Sequence, residues 1–136
     1  MAGLQSAGLD PRDDVAKLTA CVEEGLQGFL QFHQRNGYID VHELHLSAYM
    51  RVWWRFDAKA RVKVLTLEIV YVHVEQEHRS RGNFKRFLRA VEAITQNQER
   101  WVMVECVQNE LLLEHLKGCG YMTKYEGDIT VWKRPW

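Results

Sequence analysis

The sequence predicts an α/β fold with a mixed central sheet, and three observations carry this prediction. An apolar strand pattern at 68–74 runs through a short polar turn into a helical pattern at 84–94. A second apolar strand at 101–107 follows that helix, so strand, helix and strand form a right-handed βαβ crossover with parallel strands. Strand patterns at 47–56 and 62–74 flank a polar turn at 57–60, which predicts a hairpin.

The remaining elements follow from the same periodicities. Apolar residues at helical spacing predict one long amphipathic helix that starts at Asp10 and Pro11 and stops at Asn36 and Gly37. The segment 38–46 is ambiguous. A helix at 109–117, and a last strand pair at 121–125 and 129–133 around a Gly-Asp turn, complete the sheet.

Length and composition favour one domain over residues 1–136. A chain of 136 residues that is 46% hydrophobic can bury one core. No apolar run is long enough to span a bilayer, and the first residues do not resemble an export signal. Three cysteines cannot all pair, so we expect free thiols and a cytoplasmic location.

The charges are balanced in total but not evenly distributed. A formal net charge of zero argues against general nucleic-acid binding, which depends on excess cationic side chains. A basic cluster nevertheless lies between residues 78 and 89. We expect Lys85, Arg86 and Arg89 to form a solvated helix face, and Arg79 and Arg81 to serve the turn before the helix.

That turn has the composition of an anion site. The first N–H groups of a helix lack backbone partners and carry partial positive charge, and they follow Gly82 directly. Glycine lets a phosphate approach the backbone closely, and arginines supply the countercharge.

Two motifs here resemble those of the GCN5-related N-acetyltransferases. The first is Arg79-x-x-Gly82-x-Phe84, similar to the Q/R-x-x-G-x-G/A pyrophosphate loop of that family. The second begins at Asn109, opens a helix and ends in Gly120-Tyr121. The resemblance covers about residues 49–135, and it looks closest to short acetyltransferase-like proteins of bacteriophages. Residues 1–45 fall outside it as a divergent helical region.

The resemblance implies a fold with two splayed parallel strands and acetyl-coenzyme A as cosubstrate. The pantetheine arm of this cosubstrate would contact the strand at Val72, His73 and Val74, and Asn109 would contact the same arm. The pyrophosphate would meet the turn, which comprises Arg79, Ser80, Arg81, Gly82, Asn83 and Phe84. The acceptor would be an amine of a small molecule or a protein.

The same resemblance places a general base at Glu68, with Glu105 on the neighbouring strand in reserve. A structural glutamate bonded across the sheet is the alternative for both. Two positions depart from the family. Leu116 stands where many relatives carry an acid tyrosine, and Phe84 replaces a small residue, which is more typical of a core residue of the helix.

Other residues have simpler interpretations. His42 and His45 are three apart, whereas helical zinc ligands converge at four, so no metal site is expected. Cys106 and Cys119 are assigned to core packing, and His115 to an exposed turn. Trp53 and Trp54 point to opposite faces of a strand, which predicts that one lines a substrate cleft or a dimer contact.

The rival hypothesis for function is an interaction protein. The usual acid tyrosine is replaced by Leu116, and the chain has more tryptophans than a core of this size needs. The alternative to an enzyme is therefore a protein that keeps the fold but acts by binding a host protein. In a bacteriophage protein, that partner would lie in the host cytoplasm. A nucleic-acid module comes third.

Overall fold

The structure is a computed structural model that describes residues 11–31, 35–57, 60–79, 82–105, 107–123 and 125–134. Three helices and five strands are present in these residues, together with one-turn 3₁₀ helices at His42–Leu44 and Gln76–His78. In chain order, the helices and strands are α1 Pro11–Leu30, β1 Arg35–Val41, β2 Leu46–Asp57, β3 Val62–Val74, α2 Asn83–Asn97, β4 Trp101–Val104, α3 Glu110–Gly118 and β5 Val131–Lys133.

The five strands form one mixed sheet in the order β1-β2-β3-β4-β5. All neighbouring pairs are antiparallel except β3 and β4, which run parallel with Thr66 opposite Trp101 and Ile69 opposite Val104. Helix α2 connects these two strands. The predicted α/β class, the hairpin and the βαβ crossover are therefore confirmed.

The core lies on one face of the sheet, beneath the helices. Alternate residues of β2 point to it and are buried, as strand geometry requires. Helix α1 adds Val22 and Leu26, and α2 adds Phe87 and Val91, all fully buried. The apolar stripe of α2 arises from its helical spacing, and Lys85, Arg86 and Arg89 are exposed, as predicted.

The opposite face of the sheet carries arginine, tryptophan and carboxylate side chains. Trp101 and Trp132 stack with ring centroids 5.0 Å apart, and the Arg134 guanidinium lies 5.3 Å from the Trp101 ring. Arg51 lies 5.1 Å from the Trp53 ring. Glu68 belongs to this face because it alternates with the core residues Leu67 and Ile69.

The sequence placed several boundaries incorrectly. Helix α1 ends at Leu30, and Asn36 and Gly37 lie in β1, where they oppose Arg51 and Met50. Strand β4 ends at Val104 rather than 107. Among the described residues at 121–125, only Met122 pairs with another segment, through a bridge to Trp132, so the predicted last strand pair is reduced there to β5 and one bridge.

None of the helices in the described part of the chain has the length and apolar character that a bilayer span requires. Two cysteines are described, Cys21 and Cys119, and both are free thiols. Cys119 is exposed rather than packed in the core, because it follows the last residue of α3. The prediction for Cys106 lies outside the described residues.

Candidate functional site

The parallel strands β3 and β4 stop pairing about halfway along β3. Their pairing ends at Ile69 and Val104, and the Glu105 N–H donates to the Ile69 carbonyl at 3.0 Å. Beyond that point β3 continues to Val74 and, in the described residues, pairs only with β2. The register shifts between Tyr49, which lies opposite Tyr71, and Met50, which lies opposite Ile69. A β-bulge of this kind bends a strand and re-aims its edge. The edge of β3 that follows Ile69 therefore faces open space.

A cleft of about 620 Å³ occupies that space. This volume is in the range of small-molecule sites, about 300–1,000 Å³. Its walls come from the free edge of β3, the start of α2 and the segment after β4; the lining residues are Ile69, Val70, Tyr71, Val72, His73, Val74, Arg79, Phe84, Val104, Glu105, Val107, Gln108, Asn109 and Leu112. Val72, His73, Val74 and Asn109, all expected to contact a cosubstrate arm, thus line one cleft.

The turn between β3 and α2 contributes Arg79 to the lining of this cleft. The Arg79 Nε donates to the Val74 carbonyl at 2.9 Å, so the guanidinium is held next to the end of β3. Gly82 adopts a left-handed backbone with φ 76° and precedes the first residue of α2. The Asn83 side-chain amide donates to the His78 carbonyl at 3.2 Å. The predictions for Ser80 and Arg81 lie outside the described residues.

A smaller cavity of about 300 Å³ lies over the same turn. It shares Val74, Arg79, Phe84, Asn109 and Leu112 with the main cleft and adds His78, Gly82, Asn83, Lys85 and Leu111. A Cβ added at Gly82 would meet no atom of the described residues within 4 Å, so the backbone here is open to a ligand. No acidic residue stands in the first turn of α2. Together these features favour an anion at the helix start.

Phe84 contributes both to the packing of the hydrophobic core and to the cleft wall. Its ring packs against the hydrophobic core, and it also lines both cavities. The large residue at this position therefore forms part of the cleft wall.

Two carboxylates lie near the point where the strands part. Glu105 lines the cleft, and its Oε2 is buried with no hydrogen-bond partner in the described residues. Glu68 is fully buried and is absent from the lining of the cleft in those residues. The two charges are close enough that Glu105 helps to raise the pKa of Glu68.

Glu68 is held by an arginine that sequence reasoning missed. Arg51 on β2 lies opposite Glu68, its Nε donates to Oε1 at 2.7 Å, and its Nη2 contacts the same oxygen. Burial raises the pKa of Glu68, and the hydrogen bond and charge of Arg51 oppose that rise. Strand alternation alone could not have identified Arg51, because the register of β2 against β3 is not visible in the sequence.

The raised pKa of Glu68 has a consequence for stability. The folded chain holds this proton more tightly than the unfolded chain does. The resulting contribution to the free energy of unfolding is therefore present below the ordinary pKa of glutamate, and it is lost as pH rises through the raised value.

Leu116, at the position of the family's acid tyrosine, and the nearby titratable residues His115 and Tyr121 lie away from the cleft. Leu116 is buried in the core. The Tyr121 hydroxyl donates to Glu92 Oε2 at 2.8 Å, and burial together with the Glu92 charge raises the pKa of Tyr121 far above its usual range. His115 Nε2 lies 3.7 Å from Cys119 Sγ at the end of α3. None of the three lines the cleft in the described part of the chain.

Asn109 has a clear structural role in addition to its place in the cleft. It precedes α3, and its side-chain Oδ1 accepts the Leu112 N–H at 3.0 Å. This is an N-cap, which satisfies one of the unpaired N–H groups of the helix. The prediction that an asparagine opens this helix is confirmed.

Comparisons with known proteins found similarity only among solved structures. No family model matches the sequence, and no curated protein matches it. A structure of a mutant AtaT toxin, bound to the C-terminus of the antitoxin AtaR and to acetyl-CoA, is 13% identical with a TM-score of 0.47, covering 85% of this chain and 82% of that one. A structure of Tetrahymena GCN5 is 11% identical with a TM-score of 0.37, covering 92% and 89%. At these identities and TM-scores, neither likeness assigns a family or an activity to this chain.

Proposed function

We propose that this chain is an N-acyltransferase that takes acetyl from acetyl-coenzyme A and transfers it to an amine of a small molecule or a protein. The observation that carries the proposal is the cleft between β3 and the segment after β4, with the turn at Arg79 and Gly82 past the end of β3 and Glu105 where the strands part. The motif resemblance at Arg79–Phe84 and Asn109 supports it independently of the cleft.

The free edge of β3 suits an extended amide-containing arm. Backbone N–H and C=O groups along a strand edge can pair with such an arm as they would with another strand. Val72 and Val74 turn their side chains toward the core, so the backbone edge between them faces the cleft. The pyrophosphate of the cosubstrate would then reach Arg79, Gly82 and the first N–H groups of α2.

Glu105 is the better placed of the two carboxylates to accept a proton. An acceptor amine must lose a proton before or during attack on the thioester carbonyl, and a base must lie within hydrogen-bond reach of it or act through one water. Glu105 lines the cleft and its Oε2 has no partner in the described residues, whereas the carboxylate of Glu68 is bonded to Arg51. We therefore propose Glu105 as the base and Glu68 as its buried neighbour, which reverses the order expected from the resemblance.

The departing thiol needs little help from an acid. A thiol has a pKa near 8.5, so a thiolate can leave without first being protonated. The start of α3 lies at the cleft through Asn109, and its partial positive charge favours a developing thiolate. Catalytic turnover is therefore compatible with a leucine at position 116 and with a Tyr121 that lies away from the cleft.

A protein-binding module without catalysis is the second candidate. It is favoured by the two exposed aromatic residues Trp54 and Phe56, 43% and 63% exposed, at alternate positions near the end of β2, on the face of the strand that carries its core residues. Such side chains are typical of contact surfaces, including a homodimer contact. A host protein as partner and a bacteriophage origin stay predictions.

A thiol-release assay separates the two candidates. Purified protein is incubated with acetyl-coenzyme A and, in turn, a lysine peptide, a peptide with a free N-terminus, a polyamine and an amino acid. The enzyme hypothesis predicts release of free thiol above the no-protein control with at least one acceptor, together with an acetylated product by mass spectrometry. Tight cosubstrate binding without thiol release for any acceptor class would favour the binding module.

A further inference from the structure

Three side chains with metal-binding atoms meet in the two connections next to the end of β3, outside the main cleft, and one of them, His78, also lines the smaller cavity over the turn. His45 follows the one-turn helix between β1 and β2, and Glu75 and His78 belong to the turn after β3. One ligand atom from each lies within 4.8 Å of the others. The Nδ1 of His45 is 3.5 Å from Glu75 Oε2, and the Nε2 of His78 is 4.0 Å from the same oxygen.

The backbone holds these residues together independently of their side chains. The Glu75 N–H donates to the His45 carbonyl at 3.0 Å, and the His78 N–H donates to the Glu75 carbonyl at 2.8 Å. His45 itself adopts a left-handed backbone with φ 50° and ψ 42°. That conformation is uncommon for a residue other than glycine, and it is retained where the surrounding contacts fix it.

From this geometry we propose that His45, Glu75 and His78 form a zinc site. Two imidazoles and one carboxylate are a donor set suited to Zn²⁺, and three protein ligands leave one position for water. The site would join the β1–β2 connection to the turn that leads to Arg79 and Gly82.

The adjustment needed to bind the ion is small. Ligand atoms about 2.0–2.1 Å from zinc in a tetrahedral site lie about 3.3–3.4 Å from one another. The two His–Glu distances of 3.5 and 4.0 Å are close to that value. The imidazole rings are stacked, with centroids 3.4 Å apart and planes 3° from parallel, so each must turn about its own side-chain bonds for the lone pairs to converge. The side chains are 26% to 60% exposed, which leaves room for that rotation.

The close spacing of His42 and His45 in the sequence does not identify the metal-binding cluster. His42 and His45 are close in sequence, but the structure joins His45 to residues 30 and more positions later. The expectation that the chain has no metal site rested on that spacing and on the lack of a convincing third ligand, and neither reveals contacts between the two connections.

The test is a titration of zinc into full-length protein that has first been stripped of metal with a chelator. Calorimetry, or competition with a chromophoric zinc indicator, should show one zinc per chain. His45→Asn and His78→Asn should each weaken binding at least about tenfold, because even loss of a residue behind a ligand costs about 10–100-fold. Asparagine is chosen because it tolerates the left-handed backbone at position 45.

His42→Asn is the matched control, since it makes the same change at the start of the one-turn helix that precedes His45. It should change zinc affinity by less than about threefold, and circular dichroism should show that all three variants are folded. Glu75→Gln should also weaken binding. No zinc binding at millimolar concentration, or equal binding by wild type, His45→Asn and His78→Asn, would overturn the proposal and leave the trio as a surface ion pair.

Discussion

Glu105→Gln is expected to lower acetyl transfer by about 10²–10⁴-fold, because general-base catalysis contributes about that much and glutamine cannot accept the proton. The two side chains have nearly the same shape, so the fold and the affinity for coenzyme A should be preserved. The buried Oε2 of Glu105 makes no hydrogen bond in the described residues, and the substitution therefore breaks no contact there. Initial rates of thiol release, measured beside calorimetric titration with coenzyme A, separate the chemical step from binding.

The matched control is Glu68→Gln, the same change at the neighbouring carboxylate. It should lower the rate by less than about tenfold, because Glu68 is engaged by Arg51 and acts on the site only through its charge. The opposite pattern, with Glu68→Gln inactive and Glu105→Gln active, would return the role of base to Glu68. Full activity in both variants would mean that water removes the proton.

Arg51→Met is expected to destabilise the fold by about 2–4 kcal/mol near pH 7. Removing one member of a buried ion pair costs about 3–5 kcal/mol, and the loss is reduced here because the Arg51 side chain is 44% exposed. Without Arg51, the effect of burial on Glu68 is opposed less strongly, so the pKa of Glu68 rises further. The loss of unfolding free energy in Arg51→Met should therefore become smaller as pH falls, because Glu68 is then protonated in the variant.

Urea unfolding at about pH 7 and pH 5 measures both effects. Arg51→Met combined with Glu68→Gln should recover most of the loss, since no carboxylate charge is then left without its partner. Arg89→Met serves as the surface control and should change the free energy of unfolding by less than about 0.5 kcal/mol. A loss in Arg51→Met that is the same at both pH values would contradict this account of the pair.

The β3–α2–β4 unit could be predicted because each of its parts carries a local signal. The alternation of β3, the apolar stripe of α2 and the glycine at the turn all lie within one continuous stretch. The Asn109 cap is local in the same way. The boundary of α1 could not be predicted so well, because Asn36 and Gly37 look like a helix stop until their pairing with β2 is known.

The parts of the candidate site that escaped prediction depend on contacts between distant segments. The parting of β3 and β4 decides that Glu105 lines the cleft, and the β2 register decides that Arg51 bonds Glu68. The meeting of His45 with Glu75 and His78 depends on the packing of two connections. A single sequence shows residue types along the chain, and none of these three contacts is local.

The central claim, that coenzyme A binds with its phosphates at the turn before α2, is tested most directly by calorimetric titration of wild type, Gly82→Asn and Gly82→Asp. Asparagine and aspartate are nearly identical in shape, both tolerate the left-handed backbone, and a Cβ at this position meets no atom within 4 Å in the part of the chain that the structure describes. Gly82→Asn should bind within a few-fold of wild type, whereas Gly82→Asp should lose about tenfold or more, because a carboxylate then faces phosphate oxygens. No heat and no thermal shift for wild type at millimolar coenzyme A, or equal affinity in the two variants, would contradict the claim.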